Sequence, residues 1–446
     1  MLNIGFPCTA VLACAVAILF AHFRWAPAGL PMLQLATLRH DSVTFYRRDP
    51  MNGVPSGGRQ VQVRRLDASV KRSDLFNETV WRELFRRSMD RSSAPSRLAP
   101  DRCYAYHDGR VLYGAFCTPP APSAASSDFR GLFGSCMAVT VPPLHRLRAF
   151  EWAWEQLQPH VALLLGDLVY TDIEQTWLRW LRVPGHLVWR RTWQVPALER
   201  LLRTVPALLM HDDHEIRNGW DGTVGGNEEA LADLDAWTRG RRPRRWRWGK
   251  DVSFFVVDTR SYRTTGSLLG EEQWRDLRDW LRNDNATWHV LASPSLFARS
   301  LGKSPVMDDG DGGWGDFPTD QERLLELAPC NTVVLSGDVH WALAVEHLRS
   351  RGDKTGGRGG HCPVWEFGAS PFQAIPFPAP QMDMGNRHDV NERVHFLRGS
   401  AFFHGSFSYN GTDKSLGFAL HSTSVLTDAT STLYSKTLTP VTGVYS

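Results

Sequence analysis

Val161-Ala-Leu-Leu-Leu-Gly-Asp-Leu-Val-Tyr170 joins five consecutive apolar residues to a glycine, a carboxylate and, three residues on, a phenol. A short unbroken apolar run bounded by turn residues reads as a strand buried on both faces, as in a parallel sheet covered by helices. The pattern recurs along the chain. Leu208-Leu-Met210 runs into His211-Asp-Asp-His-Glu215, and Thr332-Val-Val-Leu335 runs into Ser336-Gly-Asp-Val-His340. Val252–Val257 and Trp288–Ala292 are further apolar runs, and amphipathic stretches at Glu271–Leu281 and Asp320–Leu327 lie between such runs. Strands alternating with helices predict an α/β body. In such sheets ligands gather beyond the carboxyl ends of the strands. With Phe133-Gly-Ser-Cys136 as a fourth strand end, Cys, Asp, Tyr and His side chains would meet in one place, and these are metal-binding donors.

Each fragment has a bland reading as well. Asp212-Asp213 fits a helix N-cap, and Cys136 fits a small buried hydrophobe. Asp338 and His340 flank Val339, so an extended segment would put both on one face. The ordered combination is far more specific than its parts.

Working outward, 446 residues suggest roughly two to three structural units. Hydrophobic residues at 42% and charged residues at 22% describe a globular chain, and 50 basic against 47 acidic residues give no electrostatic case for a nucleic-acid partner. Eighteen Trp are read mainly as packing residues. Ile4–Phe23 is apolar throughout; as a helix it would span about 30 Å and match a bilayer core. Residues 1–25 are therefore expected to be a transmembrane anchor or signal segment, with 25–40 as a linker. Arg24, Arg39, Arg47 and Arg48 after the run favour a cytosolic body. Sequons at Asn77, Asn285 and Asn410 favour a lumenal or extracellular one, the reading preferred here: membrane-anchored or secreted. Cys103, Cys117, Cys330 and Cys362 allow three pairings. The Cys103–Cys117 stretch reads as a hairpin about Asp108-Gly109, which favours joining those two. Thr44–Val63 reads as loop with short strands, Leu75–Ser88 as helical and Pro119–Ser127 as a linker. Arg239–Arg247 reads as a basic loop, Asp308–Gly312 as a flexible one, and the chain from Val394 as sheet-closing strands.

Five stretches together resemble the alkaline phosphatase D family, the PhoD-like branch of the calcineurin-like metallophosphatases. They are Phe133–Cys136, Gly166–Tyr170, His211–Glu215 with Asn218-Gly-Trp220, Val257-Asp-Thr-Arg-Ser-Tyr-Arg263, and Leu335–Trp341. The resemblance runs from about Phe129 to about Phe372. It implies a four-layer α/β/β/α metallophosphatase sandwich at 129–446; the apolar N-terminal helix and a small, mostly β unit at 40–118, shorter and more irregular than the usual β-sandwich of the family, precede it. It implies that Cys136, Tyr170 and His340 bind a first metal, that Asp167 bridges two metals, and that Asp213 and Asp338 complete the second. His214 would be the general acid or a phosphate contact. The implied metals are ferric iron and calcium, with Mn, Mg or Zn as alternatives. Thiolate and phenolate donors suit a soft or highly charged metal, and carboxylates suit calcium. Asn218 and Arg260 match phosphate oxygens by their donor chemistry. His211 and the Ala292-Ser-Pro-Ser295 strand end depart from the pattern: the wider superfamily places another ligand His at the latter, so water or Ser would have to fill that position. The expected activity is hydrolysis of phosphate monoesters or diesters by two metals, a bridging hydroxide and in-line attack. The alternatives are a non-catalytic metal-binding membrane glycoprotein on the same scaffold, or a metallohydrolase acting on another ester.

Overall fold

The computed structural model describes strands at 32–38 and 43–48 and most of the chain from residue 62. Residues 1–31, 39–42, 49–61, 78, 81–82, 84–97, 108–111, 140–145, 173–183, 239–244, 302–312, 349–361, 380–390, 425–426, 428 and 442–446 lie outside the described residues. The expected anchor at 1–25, the Asp108-Gly109 turn, most of the basic loop and the Asp308–Gly312 loop fall there. Among the described residues no helix is long and apolar enough to cross a membrane.

Among the described residues, eighteen strands run in chain order. They are β1 (Met32–Leu38), β2 (Val43–Arg48), β3 (Gln62–Arg65), β4 (Cys103–His107), β5 (Leu112–Cys117) and β6 (Phe129–Gly134). Next come β7 (Val161–Leu165), β8 (Ala207–Met210), β9 (Arg245–Trp248), β10 (Val252–Val256), β11 (Trp288–Ser293) and β12 (Thr332–Ser336). The last are β13 (Ala342–His347), β14 (Val364–Ala369), β15 (Glu392–Arg398), β16 (Phe402–Tyr409), β17 (Leu416–Thr423) and β18 (Thr430–Leu438). Two large sheets dominate. One has the order β15-β13-β14-β12-β11-β10-β9 and the other β18-β17-β16-β6-β7-β8. β6, β7 and β8 pair in parallel, as do β10, β11, β12 and β14, with antiparallel strands at the flanks.

The apolar runs are unbroken because each central strand feeds two cores. In β7, Leu163 and Leu165 enter a core between the sheets with Phe254, Val290, Leu335, Phe367 and Phe407. Leu164 points the other way, into a core with Trp189, Trp193, Leu198 and Trp237 from the helices Gly185–Trp193, Pro196–Leu202 and Glu228–Thr238. On the second sheet, Phe255, Leu291 and Val334 meet Trp274, Leu277 and Leu324 of the helices Gly270–Asn283 and Pro318–Leu327. The packing order is helix, sheet, sheet, helix. Each fully buried large apolar side chain contributes roughly 1.5–3 kcal/mol. Trp189, Trp193, Trp274, Trp280, Trp288, Trp314 and Trp341 are all fully buried, so these indoles pack rather than present a platform.

β3, β4 and β5 form a separate small sheet over Leu66, Val70, Leu75, Ala105 and Ala115. Tyr106 Oη donates to the Arg203 carbonyl at 2.8 Å and ties it to the body. Cys103 is bonded to Cys117 across adjacent strands, as the hairpin reading favoured, and Cys330 to Cys362. Several readings need correction. The stretch 25–40 contains β1, which pairs with β2, because cross-strand hydrogen bonding overrides the linker composition. Arg245–Trp248 is a strand, not loop, since Trp246 and Trp248 alternate into the core. Within the expected Leu75–Ser88 helix, Thr79, Val80 and Glu83 are helical after a 3-10 turn at Arg72–Phe76, and 78, 81–82 and 84–88 lie outside the described residues.

Candidate metal centre

The ends of β6, β7, β8 and β12 converge. Beyond the last ladder pair of each strand the backbone turns sharply. Cys136, Asp167, Asp338 and His340 all have positive φ, at 65°, 51°, 70° and 56°. For L-residues that conformation costs roughly 1–2 kcal/mol each, and such strain concentrates at functional sites. It also corrects the extended reading of Asp338-Val-His340, which is kinked at both ends. Gly166, at φ 86°, and Gly337 have no room for a side chain. A Cβ would lie 2.7 Å from Asp212 Cβ in the first case and 2.7 Å from Ser135 Cβ in the second.

Two donors crowd one carboxylate oxygen, and a third group adjoins them. Tyr170 Oη lies 3.0 Å from Asp167 Oδ2 and 3.1 Å from His340 Nε2, and Cys136 Sγ lies 3.4 Å from the same Asp167 oxygen. His340 Nδ1 sits 2.5 Å from the Ile375 carbonyl, so that nitrogen carries the proton and Nε2 presents a lone pair. Burial holds the His340 imidazole down at about 4, which keeps it neutral. One phenol proton therefore faces both an imidazole lone pair and a carboxylate oxygen, while Asp167 Oδ1 is buried with no hydrogen-bond partner. A cation satisfies such a set better than protons do. Ser135 Oγ and Ser370 Oγ lie 3.1 Å from Cys136 Sγ. Burial and the Asp167 charge push the Cys136 thiol well up, and these hydroxyls oppose that rise.

A second group adjoins the first. Ligand atoms of Asp167, Asp213 and His214 lie within 4.8 Å of one another. Asp213 Oδ2 accepts the Gly219 N–H at 2.5 Å. Burial, then repulsion from Asp212, pushes the Asp338 carboxyl well up, and Asp167 and Asp213 add to that repulsion. So much buried negative charge calls for positive partners. Arg260, fully buried, is one: its Nε donates to Asp212 and its Nη2 lies 3.4 Å from Asp213. This differs from the phosphate contact expected at Arg260, because carboxylates already engage two of its nitrogens. The hydroxyls at the departed strand end are also taken. Ser293 Oγ donates to the Ser295 carbonyl and accepts from Trp314 Nε1, and Ser295 Oγ bonds Thr259.

Two further residues were not singled out from the sequence. Asp172 Oδ2 lies 2.8 Å from His214 Nδ1 and also accepts the Asn218 N–H. Burial lowers the His214 imidazolium, but the Asp167 charge and the Asp172 hydrogen bond outweigh it and hold the group well above the usual histidine range. With Nδ1 held, Nε2 is the nitrogen left for a ligand or a proton. Asn218 itself is exposed at the rim. Glu215, fully buried, accepts N–H groups from Leu168 at 2.5 Å and Asp212 at 3.0 Å. The signal for both was present only as carboxylates close in sequence to expected ligands.

Residues 232–415 match the model of the PhoD-like phosphatase family, a stretch that includes Asp338 and His340. The chain is 24% identical over 383 residues to alkaline phosphatase D of Bacillus subtilis (strain 168), covering 68% of this chain. It spans 63% of the length of that relative. A solved structure of PhoD superposes with a TM-score of 0.67 at 20% identity, covering 92% of this chain and 90% of that one. A purple acid phosphatase isolated from yellow lupin (Lupinus luteus) seeds superposes with a TM-score of 0.58 at 14% identity, covering 92% of this chain and 74% of that one. This mixed α/β, multi-sheet fold is thus shared with both.

Proposed function

We propose that this chain, PhoD-like in its family match and in its fold, is a metal-dependent hydrolase of phosphate monoesters, diesters or both, built on a two-cation centre. The observation that carries this reading is the crowding of Cys136 and Tyr170 around Asp167, with His340 against Tyr170; the second Asp167 carboxylate oxygen is buried and unpartnered. Cys136, Tyr170 and His340 would hold the first cation, Asp167 would be shared, and Asp213 and Asp338 would hold the second. The first set suits ferric iron and the second calcium, with Mn, Mg or Zn as the other candidates. Two cations supply Lewis-acid activation of the phosphoryl group and of the attacking water.

The remaining steps belong to side chains. Asp172 fixes the His214 ring, so His214 Nε2 is placed to protonate the leaving oxygen. Asn218 offers an amide to a phosphate oxygen from the rim. Arg260 balances the charges of Asp212 and Asp213 and keeps both side chains in place. The two disulfides, with exposed sequon residues Asn285 and Asn410, support a body exported to an oxidising compartment. Mass spectrometry of the native protein for glycans at those two positions checks this.

Protein loaded with ferric iron and calcium is expected to hydrolyse p-nitrophenyl phosphate or its bis-ester, and Asp167→Asn to abolish the turnover. Two bound cations with no turnover of either ester overturns the reading. His214→Asn should lose far more rate on alkyl esters than on nitrophenyl esters, whose leaving group needs no proton.

A further inference from the structure

We infer that Glu215 is a positioning residue that sets the spacing between the β7 and β8 strand ends, and so determines the affinity of the second cation. The inference rests on the two-cation reading above. The β7–β8 ladder ends with Leu164↔Leu209 and Leu165↔Met210, before the ligand-bearing residues begin. Past that point no backbone rung joins the two segments until Thr171, whose N–H donates to the His214 carbonyl at 3.1 Å. The Glu215 carboxylate fills the gap. One oxygen takes the N–H directly after Asp167, and the other takes the N–H directly before Asp213. It replaces two missing rungs with a single rigid bridge, one oxygen per strand end.

The bridge is fully buried, so both amides would otherwise be orphaned donors. Because each oxygen is committed to an amide, Glu215 is not itself a ligand; it acts through Asp167 and Asp213. Thr171 Oγ1, donating to the carbonyls of His214 at 3.2 Å and Glu215 at 3.1 Å, secures the far end of the same junction. The first-cation donors Cys136 and His340 are held by other partners, Ser135, Ser370 and the Ile375 carbonyl. Loosening Glu215 should therefore disturb the second cation, which takes Asp213 as well as the shared Asp167, more than the first.

The test is calorimetric titration of wild type and Glu215→Gln, first with ferric iron and then with calcium. The amide keeps one acceptor and turns its NH2 against the other N–H. The expected result is a 10–100-fold weaker calcium Kd, the usual size of an outer-sphere effect on metal affinity. The visible absorption of the iron–phenolate centre should stay unchanged, and the metal-free protein should still melt cooperatively, at a somewhat lower temperature for the one amide left without an acceptor. A calcium Kd within twofold of wild type overturns the inference. So does loss of both cations together with a melted metal-free fold, which marks a purely structural role. If Glu215→Gln does not fold, Glu215→Asp keeps the charge but shortens the reach, and the same selective weakening is expected. A wild type that takes up no second cation overturns both the inference and the two-cation reading. A wild type that binds two cations yet hydrolyses nothing overturns the hydrolase reading alone.

Discussion

Removing the Arg260 guanidinium should expose how the centre holds its negative charge. Arg260 has no solvent exposure, and Asp212 and Asp213 are each about 1% exposed. Arg260→Met keeps most of the side chain's apolar volume and deletes the charge. The two carboxylates are then left without their arginine in a low-dielectric site. Breaking a buried ion pair by removing one partner costs about 3–5 kcal/mol, and the full loss is expected in the metal-free protein. Bound cations offer Asp213 a substitute partner. A cation at 100 times its Kd adds about 2.7 kcal/mol to the folded state of either protein and by itself leaves their difference unchanged; it is the substitute partner for Asp213 that should make the difference shrink on metal loading. The assay is urea unfolding of both proteins with chelator and with saturating metal, using Arg245→Met as control. Arg245 pairs with Asp279 at the surface, both about half exposed, and its loss should be within error of wild type. The reasoning is refuted if Arg260→Met is no less stable than that control, or if its deficit is the same with and without metal.

Three further outcomes are expected. Gly337→Ala would place a Cβ 2.7 Å from Ser135 Cβ and 2.8 Å from the Leu165 carbonyl, so it should cost about 1–3 kcal/mol by overpacking and weaken metal binding, read by unfolding and titration. His347 is fully buried between Glu366 at 3.2 Å and Glu392 at 3.3 Å. Burial lowers its imidazolium, but the two carboxylates raise it to about 9. That stabilisation, on the order of 3 kcal/mol, is fully present below about pH 6.5 and is lost as pH rises through 9. The melting-temperature gap between wild type and His347→Asn should accordingly close between pH 7 and 10, and a constant gap refutes it. Cys103→Ser removes a crosslink with a sequence separation of 14, worth about 3 kcal/mol, and hydrogen exchange in 103–117 should speed up while 161–165 is unaffected.

Much of the body was legible in the residues. A strand buried on both faces must be apolar at every position, so Val161–Leu165 and Thr332–Leu335 could be read directly, and so could the polar residues that follow them. The Cys103–Cys117 bond followed from hairpin geometry, a local property. Elements that exist only through pairing with a neighbouring strand were misread. Met32–Leu38 and Arg245–Trp248 have linker-like or basic composition, and only the neighbouring strand makes them sheet. The partner of Cys330 was undecided because 32 residues separate it from Cys362.

The sequence by itself determined which chemistry is available: thiol, phenol, imidazole and carboxylate groups at four strand ends, in an order that resembles the PhoD-like pattern. Tertiary structure decided what each group does. Asp172 became the hydrogen-bond partner of His214, Glu215 the bridge between strand ends, and Arg260 the counter-ion of Asp212 and Asp213. Donor identity is a property of one residue, whereas charge balance, tautomer and spacing depend on neighbours about 40 to 170 positions away, which only the folded chain brings within a few ångströms.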